Sequence, residues 1–118
     1  MPGAQIETKL WVWQRLSAAV LGVCVFVHLG MIIYAVQGGL NAAEIITRVS
    51  GNFLWFVFYA VFILAVAVHA PIGVRTILNE MTPLSPKATH LVMAVLCLVI
   101  LVMGFRAVIG LYQAGAGL

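Results

Sequence analysis

FLWFVFYAVFILAVAVHAPIGVRTIL, residues 53–78, carries a single formal charge, Arg75, and that charge lies three residues from its end. A run of this length exceeds the ~20 apolar residues that cross a bilayer as a helix. Phe53, Trp55, Phe56, Phe58 and Tyr59 cluster at its start, where aromatic rings form an interfacial belt, and Arg75 sits where a cation reaches the opposite head groups. The segment therefore reads as a membrane span. Two further runs flank it. Residues 10–36 precede it and stop at Gly38-Gly39, a pair that favours a turn. Residues 86–112 follow it and begin at Pro86, a residue suited to the first turn of a helix.

The whole composition agrees with three spans. The 118 residues are 64% hydrophobic and 8% charged, whereas a soluble surface needs about 25% charge. The expected fold is an all-α membrane protein with three transmembrane helices, forming one anchor domain over residues 1–118 within a multi-chain helix bundle. No span-free stretch is long enough for a soluble catalytic domain, so chemistry on a large substrate would belong to a partner. The net charge of +3 is distributed at span ends, which reads as a topology signal and not as a nucleic-acid footprint. Cys24 and Cys97 lie within spans, lack C-x-x-C or Cys/His spacing, and read as packed thiols. The first apolar run is too long for a secretory h-region and lacks a small-residue cleavage site, so no cleaved leader is expected.

Orientation follows from the connections. Lys9 and Arg15 mark the start of the first span, and Arg75 and Lys87 outweigh Glu80 around the second connection. In the first connection, residues 38–52, Glu44 and Arg48 cancel, and residues 42–49 can form a short interfacial helix. The positive-inside rule then puts the N terminus and the second connection in the cytoplasm. Arg106, toward the outer end of the third span, must snorkel or face a polar partner.

Two histidines, His28 and His69, lie inside spans. Ionisable residues at such depth are rare and mark function by default, and a neutral imidazole is an axial ligand for haem iron. At ~1.5 Å per residue, His28 is about 25 Å along the first span, in the outer half of the bilayer. His69 is about 9–15 Å from the cytoplasmic end of the second, in the inner half. One iron between these two rings is excluded on depth, so each would need a ligand from another chain. Around His69, Gly73 lies one turn on and lets a flat macrocycle or a helix approach, and Arg75 is positioned to neutralise a haem propionate. The competing reading makes both rings interhelical hydrogen-bonding groups. His90, near the start of the third span, reads as an interfacial histidine. Pro71, inside the second span, predicts a local kink.

Two motifs give the chain a resemblance. WQRLSAAVLG, residues 13–22, is similar to an H-R-x-[ST]-G segment, with Arg15 and Ser17 at the arginine and hydroxyl positions. HAPIGVRTILNE, residues 69–80, is similar to an H-x-x-x-G-[IV]-R-H segment, with His69 at the axial-ligand position. Both belong to the cytochrome b membrane-anchor subunits of succinate dehydrogenase and fumarate reductase. Gln14, Ala18 and Thr76 depart from the motifs, and Trp11 stands where many members have a serine that lines the quinone pocket.

The resemblance implies a multi-pass subunit of the inner (cytoplasmic) membrane, non-catalytic alone, holding haem b. Its implied partners are a second membrane anchor subunit, an iron–sulfur subunit, a flavoprotein subunit, ubiquinone or menaquinone, and the lipid bilayer. Trp11, Arg15 and Ser17 would line the quinone site, and His69, with Gly73 and Arg75, the haem site. In members with two haems the first-span ligand lies near the outer face, the position of His28. Two alternatives stay open: a haem-free structural anchor for a peripheral enzyme, and a small transporter subunit, although Glu7, Glu44 and Glu80 all lie outside the spans.

Overall fold

The computed structural model describes residues 2–114, which form four helices: α1 Pro2–Gln37, α2 Ala42–Val49, α3 Phe53–Met81 and α4 Pro86–Ala114. Three of them, α1, α3 and α4, are long and apolar enough to cross a membrane. The expected spans and the expected short helix at 42–49 are both present. The principal difference is at the N terminus, where α1 begins eight residues before the apolar run. Its 36 residues extend to ~54 Å at 1.5 Å per residue, which matches the 54 Å long axis of the molecule and exceeds a hydrocarbon core of ~30 Å. The additional turns contain Glu7, Thr8 and Lys9. Polarity ends the hydrophobic run there, but nothing in those residues ends the helix.

Each remaining boundary has a local cause. Helix α1 stops in a Schellman motif: Gly39 adopts φ +67°, its N–H donates to the Val36 carbonyl at 3.2 Å, and the Leu40 N–H donates to Ala35 at 3.0 Å. Asn41 caps α2 by accepting the Glu44 N–H at 2.8 Å. After α2, Gly51 at φ +71° reverses the chain, and Asn52 caps α3 through the Leu54 N–H. The same turn closes the far end of α4, because the Ser50 hydroxyl and the Gly51 N–H both donate to the Tyr112 carbonyl, at 2.8 and 2.9 Å. Ser85 accepts the Ala88 N–H at 3.2 Å and starts α4 ahead of Pro86. Helix α3 runs on through Pro71 to Met81.

Helix α3 is central, packing against α4 on one side and α1 on the other. Where α3 meets α4, Gly104 faces Ile63 closely enough that a Cβ there would fall 2.6 Å from Ile63 Cγ2. Phe56 and Tyr112 continue that interface in an edge-to-face pair 5.1 Å between centroids. Only 6–11% of the most apolar window of each long helix is buried inside the chain. Such surface requires lipid or partner helices around it, since water would expose nearly all of it. Cys24 is buried and Cys97 half-buried, both as free thiols.

Candidate functional site

The α1–α3 seam contains most of the chain's interior polarity. On α1, Glu7, Gln14 and His28 share one face at seven-residue spacing, with Leu21 between, because seven residues are nearly two helical turns. Across from them α3 presents Tyr59, Phe62, His69 and Gly73. Ser17, 6% exposed, also lies inward, and its hydroxyl donates to the Gln14 carbonyl at 3.1 Å.

His69 is half-buried. Its Nδ1 is sealed and lacks a hydrogen-bond partner among the described residues, whereas Nε2 is not sealed. A buried ring nitrogen left without a hydrogen-bond partner costs about 1–3 kcal/mol, so this nitrogen calls for one. The space at Gly73 is taken by the chain itself: the Gln14 amide nitrogen lies 3.5 Å from where a Cβ on Gly73 would stand. Gln14 Oε1 and Arg75 Nε are likewise buried and unpaired. Arg75 nevertheless has a partner for its terminal nitrogens, since Nη1 and Nη2 donate to the two carboxylate oxygens of Glu7, Nη1 at 3.2 Å. This bidentate pair staples the start of α1 to the end of α3.

His28 lies higher in the same seam. Its ring meets Tyr59 and Phe62 edge-on, with centroids 6.1 and 5.7 Å away. Phe62 and Tyr59 precede His69 by seven and ten residues, which separates the two imidazoles by ~10–15 Å along the axis. They cannot flank one iron. His28 also opens onto a cleft of about 350 Å³ between the end of α1, α2 and the start of α3, where Arg48 lies over the Tyr34 ring.

Trp11 and Arg15 are on a different face of α1 from Gln14. Both are exposed, and the Arg15 guanidinium rests 5.0 Å from the Trp11 ring centroid, a cation–π contact. They are thus available to a neighbouring chain and are separated from the buried Ser17. Between α1 and α4, beside α3, an open apolar cleft of about 550 Å³ is lined by Trp13, Pro71, Ile72, His90 and Met93, among others. His90 and Arg106 are both exposed. Among the described residues, no three His, Cys, Asp or Glu side chains converge on a metal-ion site.

The model of the family described as the succinate dehydrogenase/fumarate reductase transmembrane subunit matches residues 2–105. The chain belongs to this family. No curated protein and no solved structure matches it. As a succinate dehydrogenase/fumarate reductase transmembrane subunit it is a multi-pass membrane anchor that functions in a complex with the partner subunits of such an enzyme. The matched region contains every long helix up to Phe105 and both motifs read from the sequence.

Sequence reasoning did not identify Gln14 and Glu7 as site residues. The signal was available in their seven-residue spacing from each other and in their alignment with His28.

Proposed function

We propose that this transmembrane subunit supplies His69 as an axial ligand of a b-type haem shared with a second membrane subunit, and contributes to a quinone site near the start of α1. The supporting observation is the asymmetry of the His69 ring: Nδ1 is turned into the chain and Nε2 is left unsealed. A ligand that bridges two chains needs one nitrogen open to the iron and the other turned into its own protein, where an acceptor can hold it. The residues present therefore fit the group.

When bound, a haem of this type relays single electrons between an iron–sulfur partner and quinone. The chain's own residues bind and orient. The α1–α3 seam fixes the imidazole plane. Trp11 and Arg15, stacked on each other and exposed, offer an aromatic face and a cationic donor to a quinone oxygen or a haem propionate, with Ser17 buried behind them. Positive charge around the start of α1 and the α3–α4 connection supports a cytoplasmic location for this end. That end is where the iron–sulfur and flavoprotein subunits would dock at the inner membrane. His28 would serve a second haem in the outer half, which would make electron transfer across the bilayer sensitive to the membrane potential.

A reduced-minus-oxidised spectrum of the complex purified through this chain tests the reading, with b-type bands expected. Their absence would leave a haem-free structural anchor. That second reading is favoured by the Arg75–Glu7 pair, which already occupies the cation best placed for a propionate. For the quinone site, Arg15→Ala is expected to weaken quinone turnover about tenfold or more, the usual range for a lost charge-assisted hydrogen bond, or to move the haem midpoint potential if the cation serves a propionate instead. Unchanged quinone kinetics together with an unchanged potential would reject both roles.

A further inference from the structure

Three buried polar atoms lack partners among the described residues, namely Gln14 Oε1, His69 Nδ1 and Arg75 Nε. Gln14 comes from α1, and the other two belong to the second half of α3. Native interiors tolerate few such atoms, so three near one end of one seam require a joint account. Gln14 is aligned over Gly73, one helical turn from His69, and its amide nitrogen is the atom in contact there. Its oxygen is a free acceptor. Ser17, a buried hydroxyl near this level, already donates to the Gln14 backbone.

We propose that in the assembled, haem-loaded complex the Gln14 side-chain oxygen becomes the positioning acceptor for the Nδ1–H of His69, a bond that the chain by itself does not make. This inference rests on the haem reading above and deepens it. An imidazole that ligates through Nε2 must be protonated at Nδ1, and the acceptor at Nδ1 fixes both tautomer and ring plane. A neutral amide leaves the ring a neutral ligand, whereas a carboxylate at the same place draws the proton away and makes the ring a stronger donor to iron. The residue at position 14 therefore tunes the haem without touching it. The oxygen has two lone pairs, so accepting from His69 leaves one for a second donor, and Arg75 Nε is the remaining unpaired donor of the three.

The test uses the assembled complex carrying Gln14→Glu and, separately, Gln14→Met, two replacements of similar length. Gln14→Glu is expected to lower the haem midpoint potential. Gln14→Met, with no acceptor, is expected to raise it and to broaden the low-spin resonance as the ring loses its fixed plane. Packing damage alone would move both variants in the same direction. Equal potentials, or shifts of the same sign, overturn the proposal. If neither variant assembles, nitrogen-15 resonances of labelled histidine in the wild-type reduced complex decide it: a hydrogen-bonded, protonated Nδ1 on His69 is expected, and a bare or non-bonded Nδ1 overturns it. Full haem retention in His69→Ala would remove the ligand assignment itself. Haem loss in that variant, with unmoved potentials in the Gln14 pair, would remove only the positioning role.

Discussion

His69→Ala is expected to strip the b-type haem from the assembled complex, to less than about a tenth of the wild-type content, while the chain stays inserted and bound to its partners. Removing a residue that merely orients a metal ligand typically costs 10–100-fold in affinity, so loss of the ligand itself should cost at least that much. Insertion should survive because it depends on three long apolar helices and not on one ring. The substitution leaves a void one helical turn from Gly73, where Gln14 packs. Added imidazole should enter that void and restore part of the haem spectrum, which separates a missing ligand from a collapsed seam. Haem content equal to wild type in the alanine variant would end the assignment. His28→Ala is the internal comparison. Because His28 is ~10–15 Å away along the axis, its loss should leave the His69-dependent spectrum intact and remove at most a second, separate component.

The two histidines also mark how far the sequence could be read. Span number, the helix at 42–49 and the turn at Gly38-Gly39 were legible because they depend on local composition: apolar length and a glycine that can take positive φ. The vertical offset between His28 and His69 was legible for a related reason, since rise per residue converts position into depth. What could not be read was the partner of each polar side chain across the seam. Gly73 suggested a close approach but not by what, and the approaching group is Gln14. The sequence positions Arg75 for a propionate but does not show its partner within the chain, Glu7, 68 residues earlier. That pairing exists only because α1 continues helically to Pro2, past the end of its hydrophobic run. Similarly, the resemblance groups Trp11, Arg15 and Ser17 at one quinone site. Helical geometry divides them, with Trp11 and Arg15 four residues apart on an exposed face and Ser17 buried against α3.

Gly104→Leu is expected to weaken the α3–α4 interface and lower the yield and melting temperature of the complex, without altering the spectrum of the molecules that do assemble. A single Cβ at this position would already lie 2.6, 2.8 and 3.1 Å from the Cγ2, Cδ1 and Cγ1 atoms of Ile63. Ile63 cannot readily turn aside, since a β-branched side chain in a helix is nearly confined to one χ1 rotamer. Overpacking of this kind costs about 1–3 kcal/mol, with alanine at the low end and leucine at or above the high end. Lipid supplies no compensating hydrophobic drive, because tails are as apolar as the helix faces and association depends on packing. The matched test is compensatory: Gly104→Ala should be destabilising alone and largely rescued by Ile63→Ala, which vacates the contested volume. Wild-type stability in Gly104→Leu, or no rescue in the double variant, would show that the helices are not held at this contact. The spectral prediction follows from position on α3. Ile63 is six residues before His69, ~9 Å along the axis, and faces α4, whereas His69 belongs to the α1 seam. Loosening one side of α3 should therefore reduce how many complexes form while leaving the ligand geometry of each formed complex unchanged.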